Sequence, residues 1–481
     1  MLLAIKEDGG PKGKQVVTQV QALIARGALK PGEALPSTRL LAEQLGLHRS
    51  TVAAAYQDLW AQGCLDLRPG AQPRVRPRGG LIPAPPAGAP GFPWEARLAD
   101  LGRLPRRPVR PEGAISFADF TMDPRLMPVA AFERSLRSVL RRRGPEVLAY
   151  GDPQGQPGFR ALLAARMAQH GVAAAPEEIL VTHGSQQALE LVLRGVARPG
   201  DAVLVETPTY NQFLRLLGLL GLRALAVPEG PGGPDFAALE ALVRRERPAL
   251  AYVMPSFRNP TGRSLDPAQR ERLLALCGAA GLPILEDGFT EEMKYFGRAI
   301  QPLKALDRSG LVIYAGTFSK ILFPGLRLGW IAAPEPCVAG LTALRAAGEL
   351  GPPPLLQEGL EDFIRLGRFD QHLARLHRCF RRRMDAALAA LRRHLDPAWA
   401  AWEAPAGGYL LWLRLTGFDP ALDLEAALAR HGVAVRDGRS FFPCPAEGPR
   451  WVRLSISTLD EAEIARGIER LAVGLRALRG T

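Results

Sequence analysis

A chain of 481 residues is longer than one hydrophobic core ordinarily organises, so two or more folded units are expected. No run of about 18 apolar residues is free of charges and breakers, and Lys6, Glu7 and Asp8 leave no apolar signal core at the start, which argues for a cytoplasmic protein without a membrane span. The formal charge of +13 admits a polyanionic partner, and five scattered cysteines (64, 277, 337, 379 and 444), odd in number and without ligand spacing, argue against a disulfide framework and a metal site.

Residues 1–80 hold 11 Lys/Arg against 6 Asp/Glu, a modest cationic footprint. Val16, Val17, Val20, Leu23 and Ile24 recur at three- and four-residue spacing and predict a helix to Ala25, which Arg26-Gly27 ends. Lys30-Pro31-Gly32 turns the chain toward Ser37, the N-cap of a second helix from Thr38 to Leu45 that Gly46 stops. His48-Arg49-Ser50-Thr51 open a third helix, with Val52, Tyr56, Leu59 and Trp60 expected on its inner face. Two short helices joined by such a turn form a helix-turn-helix, and polar side chains at the start of its second helix are what reading a major groove requires. Arg39 adds a contact from the helix before. Cys64–Arg68 and Arg74–Arg76 flank Pro69-Gly70 as the strands of a wing would. Taken singly, each of these residues is equally a solvated face of a packing domain. Their order favours DNA.

Residues 81–112 contain eight prolines and little periodicity, and read as a semi-extended linker. From about Ala114 short apolar runs alternate with amphipathic helical patterns, which predicts an α/β domain with a mostly parallel sheet. Candidate strands are Ile179–Thr182, Ala202–Glu206, Ala224–Val227, Leu250–Met254, Pro283–Glu286, Leu311–Ala315 and Leu328–Ala332. Open α/β sheets bind ligands at the carboxyl ends of their strands.

At those ends stand the residues with chemistry. His183-Gly184-Ser185-Gln186 open a helix after the first strand and form an anion site of non-P-loop spacing. Gly316-Thr317-Phe318-Ser319-Lys320 follow another strand, with Arg327 seven residues beyond the lysine. Two hydroxyls and a guanidinium suit a phosphate dianion, and a lysine beside cations in a dry site loses its proton easily enough to form an imine. Asn259 and Asp287 each follow a strand, where an amide can serve a phenolate oxygen and a carboxylate can hold a pyridinium nitrogen protonated. In isolation these two are a turn residue and a helix cap. Further strands, Gly407–Trp412, Val433–Arg436 and Trp451–Ser455, predict a second sheet in the last third.

Leu35-Pro36-Ser37-Thr38-Arg39, Leu41-Ala42 and Gly46-Leu47-His48-Arg49-Ser50-Thr51-Val52 resemble the winged helix of GntR-family regulators over residues 12–78. The resemblance implies that Arg39, His48, Arg49, Ser50 and Thr51 face DNA, with Arg68 and the Gly70 turn beginning the wing. Gln72 stands where the family usually repeats a glycine, which bears on the wing's shape.

Residues 114–481 resemble a fold-type I aminotransferase with a large subdomain over about 150–340 and a small one over about 341–481. That likeness implies pyridoxal 5'-phosphate held as a Schiff base on Lys320, with Asp287 on the ring nitrogen, Asn259 on the ring oxygen and Tyr210 stacked on the ring. It implies a phosphate site of Gly184, Ser185, Gln186, Thr317, Ser319 and Arg327, and a homodimer in which Tyr150 reaches the neighbour's phosphate. Arg453 resembles the arginine that clamps a substrate carboxylate, which its bidentate geometry suits. Phe289 stands where relatives often carry a phenol, so the Lys320 imine is expected to keep its proton to higher pH.

Winged helix, linker over 79–113 and aminotransferase-like domain is the layout of MocR-type regulators within the GntR family, here a multidomain chain. It implies an operator in double-stranded DNA and a small amine or amino-acid effector, or pyridoxal phosphate itself. Two other readings stand beside it. One is a working aminotransferase with an accessory DNA-binding head, and the other a DNA-binding protein whose large domain only dimerises.

Overall fold

The computed structural model describes residues 3–76 except 8, 93–98, and 113–479 except 228, 231, 298 and 299. The chain divides into two compact units, 1–108 and 109–481. Most of the expected linker lies outside the described residues, and its described part, 93–98, carries one helical turn at Trp94–Arg97.

In the first unit helices α1 (Lys12–Ala25), α2 (Thr38–Leu45) and α3 (Arg49–Ala61) enclose a core of Val16, Val20, Leu41, Val52, Tyr56 and Leu59. Ser37 Oγ accepts from the Leu40 N–H at the start of α2, and Gly46 ends that helix in the left-handed region at φ 61°. The Tyr56 hydroxyl donates to the Pro36 carbonyl over 2.9 Å and pins α3 to the chain entering α2. Trp60, expected inside, is 45% exposed. Leu59 already fills the inner position, and one residue turns a helix by about 100°, so Trp60 faces solvent. Strands β1 (Leu65–Asp66) and β2 (Arg74–Val75) form an antiparallel hairpin. At the Gln72-Pro73 departure the Pro73 carbonyl accepts from the Leu35 N–H, so this side of the wing is tied to the segment before α2.

The second unit opens with β3 (Ile115–Ser116) and builds a seven-stranded sheet from β4 (Ile179–Thr182), β5 (Ala202–Glu206), β6 (Arg223–Val227), β7 (Leu250–Val253), β8 (Ile284–Asp287), β9 (Val312–Thr317) and β10 (Gly329–Ala332). Their order is β4-β10-β9-β8-β7-β5-β6. All neighbours are parallel except those of β10, which runs antiparallel to both β9 and β4. Alternate residues point to opposite faces, and both faces of the central strands are covered, so these strands are largely apolar, with Glu206, Glu286 and Asp287 near their carboxyl ends. Val203, Val205 and Ile313 join a core with Leu189 and Val192 of helix α4 (Ser185–Val196), while Leu204, Val253 and Val312 join another with Leu239 and Leu273.

Helix α5 (Arg368–His394) leads to a four-stranded antiparallel sheet ordered β11 (Ala400–Trp402), β12 (Leu410–Leu415), β15 (Trp451–Ser455) and β14 (Arg436–Asp437). β13 (Val433–Ala434) pairs with β3, so the segment that opens the unit is bound to its last third. Helix α6 (Glu461–Arg479) packs against α5. No described helix is long and apolar enough to cross a membrane.

Candidate functional site: a cofactor cleft and a recognition helix

The second unit's site is assembled at the carboxyl ends of β4, β8 and β9. Gly184, at φ 82°, turns the chain from β4 into α4, and Arg327, itself left-handed at φ 51°, donates from Nη2 to the His183 carbonyl over 2.7 Å. A Cβ on Gly184 would come within 3.0 Å of that guanidinium, and one on Gly329 within 2.8 Å of the Gly184 backbone. Two glycines and an arginine thus close on the start of α4, whose first N–H groups have no intrahelical acceptor. Ser185 stands at that start. Thr317 donates its hydroxyl to Ser319 Oγ and accepts from the Ser319 N–H, both at 3.1 Å, which holds the two hydroxyls together.

Asp287 ends β8 and is buried. Its Oδ2 accepts from the Tyr252 hydroxyl at 2.8 Å, while Oδ1 is buried with no hydrogen-bonding partner among the described residues. Burial pushes its pKa up to about 6, against the Tyr252 hydroxyl, the Phe289 backbone N–H and the charge of Lys320, which favour the ionised form. Lys320 Nζ donates to the Phe120 carbonyl over 2.5 Å and lies 4.3 Å from the Phe120 ring centroid. Burial, then the charge of Arg453, lowers its pKa to about 8. Asn259 Oδ1 accepts from Arg453 Nη1 at 3.2 Å, leaving the amide N–H groups of Asn259 to donate elsewhere. Arg453 is buried and donates from Nη2 to the Ala118 carbonyl. Burial works against its charge, with Arg436 adding to the effect, but a guanidinium starts so high that it stays charged. The Tyr210 hydroxyl donates to Gln186 Oε1 at 3.4 Å, and burial followed by the Asp287 charge raises its pKa. Tyr150, 86% exposed, takes no part in this cluster within one chain.

These residues fit pyridoxal phosphate. A pyridinium N–H needs a buried acceptor, which Asp287 Oδ1 offers, and a phosphate dianion needs the helix start, hydroxyls and guanidinium gathered around Gly184. Phe289, at the phenol position, is buried and sets its ring edge-on to Phe120 at 5.9 Å. Sequence reasoning missed Phe120, which lies in a mixed segment between Asp119 and Thr121 without a clear period, and Tyr252, although a hydroxyl inside an otherwise apolar strand is a signal. It also missed Tyr409 and His372, which bond the Lys320 and Ile321 carbonyls at 2.7 and 3.0 Å.

In the first unit Arg39 on α2 and His48, Arg49 and Ser50 at the start of α3 are exposed. Arg39 and Arg49 take part in no ion pair among the described residues. The His48 ring is partly occupied as N-cap, with Nδ1 2.6 Å from Ser50 Oγ. Thr51 is half-buried, its methyl facing Gly13 of α1. Arg68 is exposed and paired with Asp66 at 3.3 Å.

The fold and both sites define a DNA-binding head joined to a fold-type I aminotransferase-like domain. Residues 12–75 match the gntR family of bacterial regulatory proteins, and residues 123–471 match the class I and II aminotransferases. The chain is 33% identical to the HTH-type transcriptional regulator TauR of Rhodobacter capsulatus, covering 96% of each chain. It is 31% identical to the probable rhizopine catabolism regulatory protein MocR of Rhizobium meliloti, covering 100% of this chain and 97% of that one. Among solved structures, LysN, an alpha-aminoadipate aminotransferase of Thermus thermophilus complexed with a phosphopyridoxyl-leucine, is similar at a TM-score of 0.74. It is 34% identical, over 81% of this chain and all of that one. The protein belongs to the MocR-type subfamily of GntR-family transcriptional regulators.

Proposed function

We propose that this chain is a cytoplasmic, homodimeric regulator whose head binds an operator in duplex DNA and whose second unit, carrying pyridoxal phosphate on Lys320, senses an amine or amino acid. The observation that carries the reading is Asp287 Oδ1, a buried acceptor without a hydrogen-bonding partner among the described residues, in the same site as a lysine whose pKa is lowered to about 8. When bound, the cofactor supplies an aldehyde carbon that condenses with amines and a ring that draws electrons from it. Lys320 offers a nitrogen that gives up its proton near neutral pH. Asp287, fixed in orientation by Tyr252, would hold a proton on the ring nitrogen. The start of α4, Thr317, Ser319 and Arg327 would hold the phosphate, Asn259 would serve the ring oxygen and Tyr210 would pack against the ring. Arg453 takes an anionic group of the effector. Tyr150 is assigned to the partner's phosphate, in keeping with its exposure in the single chain.

An effector that prefers one state of the second unit shifts DNA affinity by linkage, and a coupling of about 1–3 kcal/mol, or about 5–150-fold, is ordinary for such a device. The segment over 79–113 relays the preference to the head, where Arg39, His48, Arg49, Ser50 and Thr51 meet the operator and Arg68 the backbone beside it. The test is borohydride fixation of the cofactor and its loss in Lys320→Ala, followed by operator binding with and without candidate amines at a stated salt concentration. Fixation elsewhere, or DNA binding indifferent to every amine, overturns the proposal.

One observation favours a second reading. Lys320, Asp287 and Arg453 together form a set able to turn over an amino acid, and a 2-aminoadipate transaminase of Thermus thermophilus is 35% identical over 80% of this chain. Sustained conversion of an amino donor and a keto acid at about 1 per second or faster favours that reading.

A further inference from the structure

A short segment leading from β3 into the site holds one residue that the cofactor reading leaves unused. Four successive carbonyls of residues 117–120 are each bonded. Phe117 accepts from the Ser455 N–H at 2.8 Å, Ala118 from Arg453 Nη2 at 2.9 Å, Asp119 from Ser457 Oγ at 3.3 Å and Phe120 from Lys320 Nζ at 2.5 Å. Three of these bonds do not involve Lys320 and position residues 117–119 whether or not that lysine is free, and the Phe120 side chain follows from them and from its ring contacts. Its ring centroid is 4.3 Å from Lys320 Nζ and 5.5 Å from Arg453 Cζ. Edge-on contacts with Phe289 and Tyr409, centroids at 5.9 and 6.0 Å, hold it from other sides.

We propose that Phe120 is a specificity-determining residue, which admits amines borne on an unbranched carbon and hinders α-amino acids. The inference rests on the reading of Lys320 as the cofactor lysine. In the exchange, the ligand nitrogen forms its bond to the cofactor carbon as the bond from Lys320 breaks. With the cofactor-bound nitrogen protonated before and after, one proton passes from the ligand amine to the departing lysine nitrogen. The entering nitrogen takes nearly the place of Nζ, so the carbon attached to it comes to lie beside the Phe120 ring. A CH2 brings only hydrogens there. An α-amino acid brings a carboxylate and a side chain, and its carboxylate, one carbon from the nitrogen, must also reach Arg453 past the same ring. An amine whose anion sits further along the chain carries no such branch at the crowded carbon.

L-alanine and β-alanine have the same atoms and differ in that branch, which makes them the probes. The wild-type protein loaded with pyridoxal phosphate is first checked by borohydride fixation to Lys320, then titrated with each isomer while the cofactor absorbance is followed. Wild type is expected to favour β-alanine by about tenfold or more, the scale on which one misplaced group is discriminated in a fitted pocket. Phe120→Ala tightens L-alanine by about tenfold and β-alanine by less than about threefold, and Phe120→Leu, which keeps apolar bulk in the cluster, falls between. The Leu variant also serves if the Ala variant fails to fold. Equal affinities in wild type, equal shifts for both isomers, or no response to either isomer in any variant overturns the inference while leaving the cofactor reading intact. Failure of fixation in the wild type removes the cofactor reading and this inference together.

Discussion

The Tyr252 hydroxyl is spent on Oδ2 of Asp287, over 2.8 Å, while Oδ1 of the same carboxylate has no partner among the described residues. Tyr252 is fixed in turn by stacking on Phe213, ring centroids 3.6 Å apart. The carboxylate is thereby aimed, with one oxygen anchored and one offered. Tyr252→Phe removes a hydrogen bond to a charged group, ordinarily worth about 1.5–3 kcal/mol. The variant is expected to fold and to bind pyridoxal phosphate about tenfold or more weakly, as read by quenching of protein fluorescence. Asp287→Ala, which removes the offered oxygen as well, lowers affinity further.

Capture of pyridoxal phosphate by cofactor-free protein is expected to depend on pH with a midpoint near the Lys320 value of about 8. The lowered pKa means more free amine at a given pH: half at pH 8, against less than about 1% for an ordinary lysine. Arg453 is a positive neighbour that depresses this value, so Arg453→Ala raises it and moves the midpoint to higher pH. Stopped-flow absorbance over pH 6–10 measures both, and a midpoint at the ordinary lysine value in both proteins contradicts the assignment.

His372, buried on α5, donates from Nε2 to the Ile321 carbonyl, next to Lys320. Burial lowers its pKa from 6.5 to about 4. A depressed folded-state value means that the unfolded chain takes up the proton first as pH falls. The stability that the neutral imidazole contributes is whole above about pH 6.5 and is lost progressively toward pH 4, on the order of 2–3 kcal/mol. His372→Gln, which keeps a donor but does not titrate, is expected to flatten this part of the urea-midpoint profile between pH 7 and 4.5. An unchanged acid slope refutes it.

Arg49 is exposed at the start of α3 without an ion-pair partner among the described residues, whereas Tyr56 is buried on the same helix with its hydroxyl on Pro36. Arg49→Ala is expected to weaken operator binding about tenfold or more without changing the melting of the head. Tyr56→Phe leaves the Pro36 carbonyl short of a donor and is expected to cost about 1 kcal/mol of stability, with a smaller effect on DNA affinity. Binding titrations at two salt concentrations beside thermal melts separate the two effects, and the reverse pattern contradicts the assignment of α3 as the recognition helix.

Much of this was legible in the sequence because it is local. Ser37 and Gly46 bound α2 through capping and left-handed backbone, which depend on a residue and its near neighbours. The strands that lead to Asp287 and Lys320 begin as apolar runs, Ile284-Leu285 and Val312-Ile313, since a sheet covered on both faces demands them. Trp60 was misjudged because helical periodicity leaves about one residue of latitude at the edge of a buried stripe. What tertiary structure alone decided are the pairings across long separations. The antiparallel insertion of β10 between β4 and β9 sets Arg327 against Gly184, and β3 joins β13 more than 300 residues away. Phe120 meets Lys320 across 200 residues. No local pattern encodes such contacts, because they follow from the order in which strands are laid side by side, and that order is chosen by the packing of the whole core.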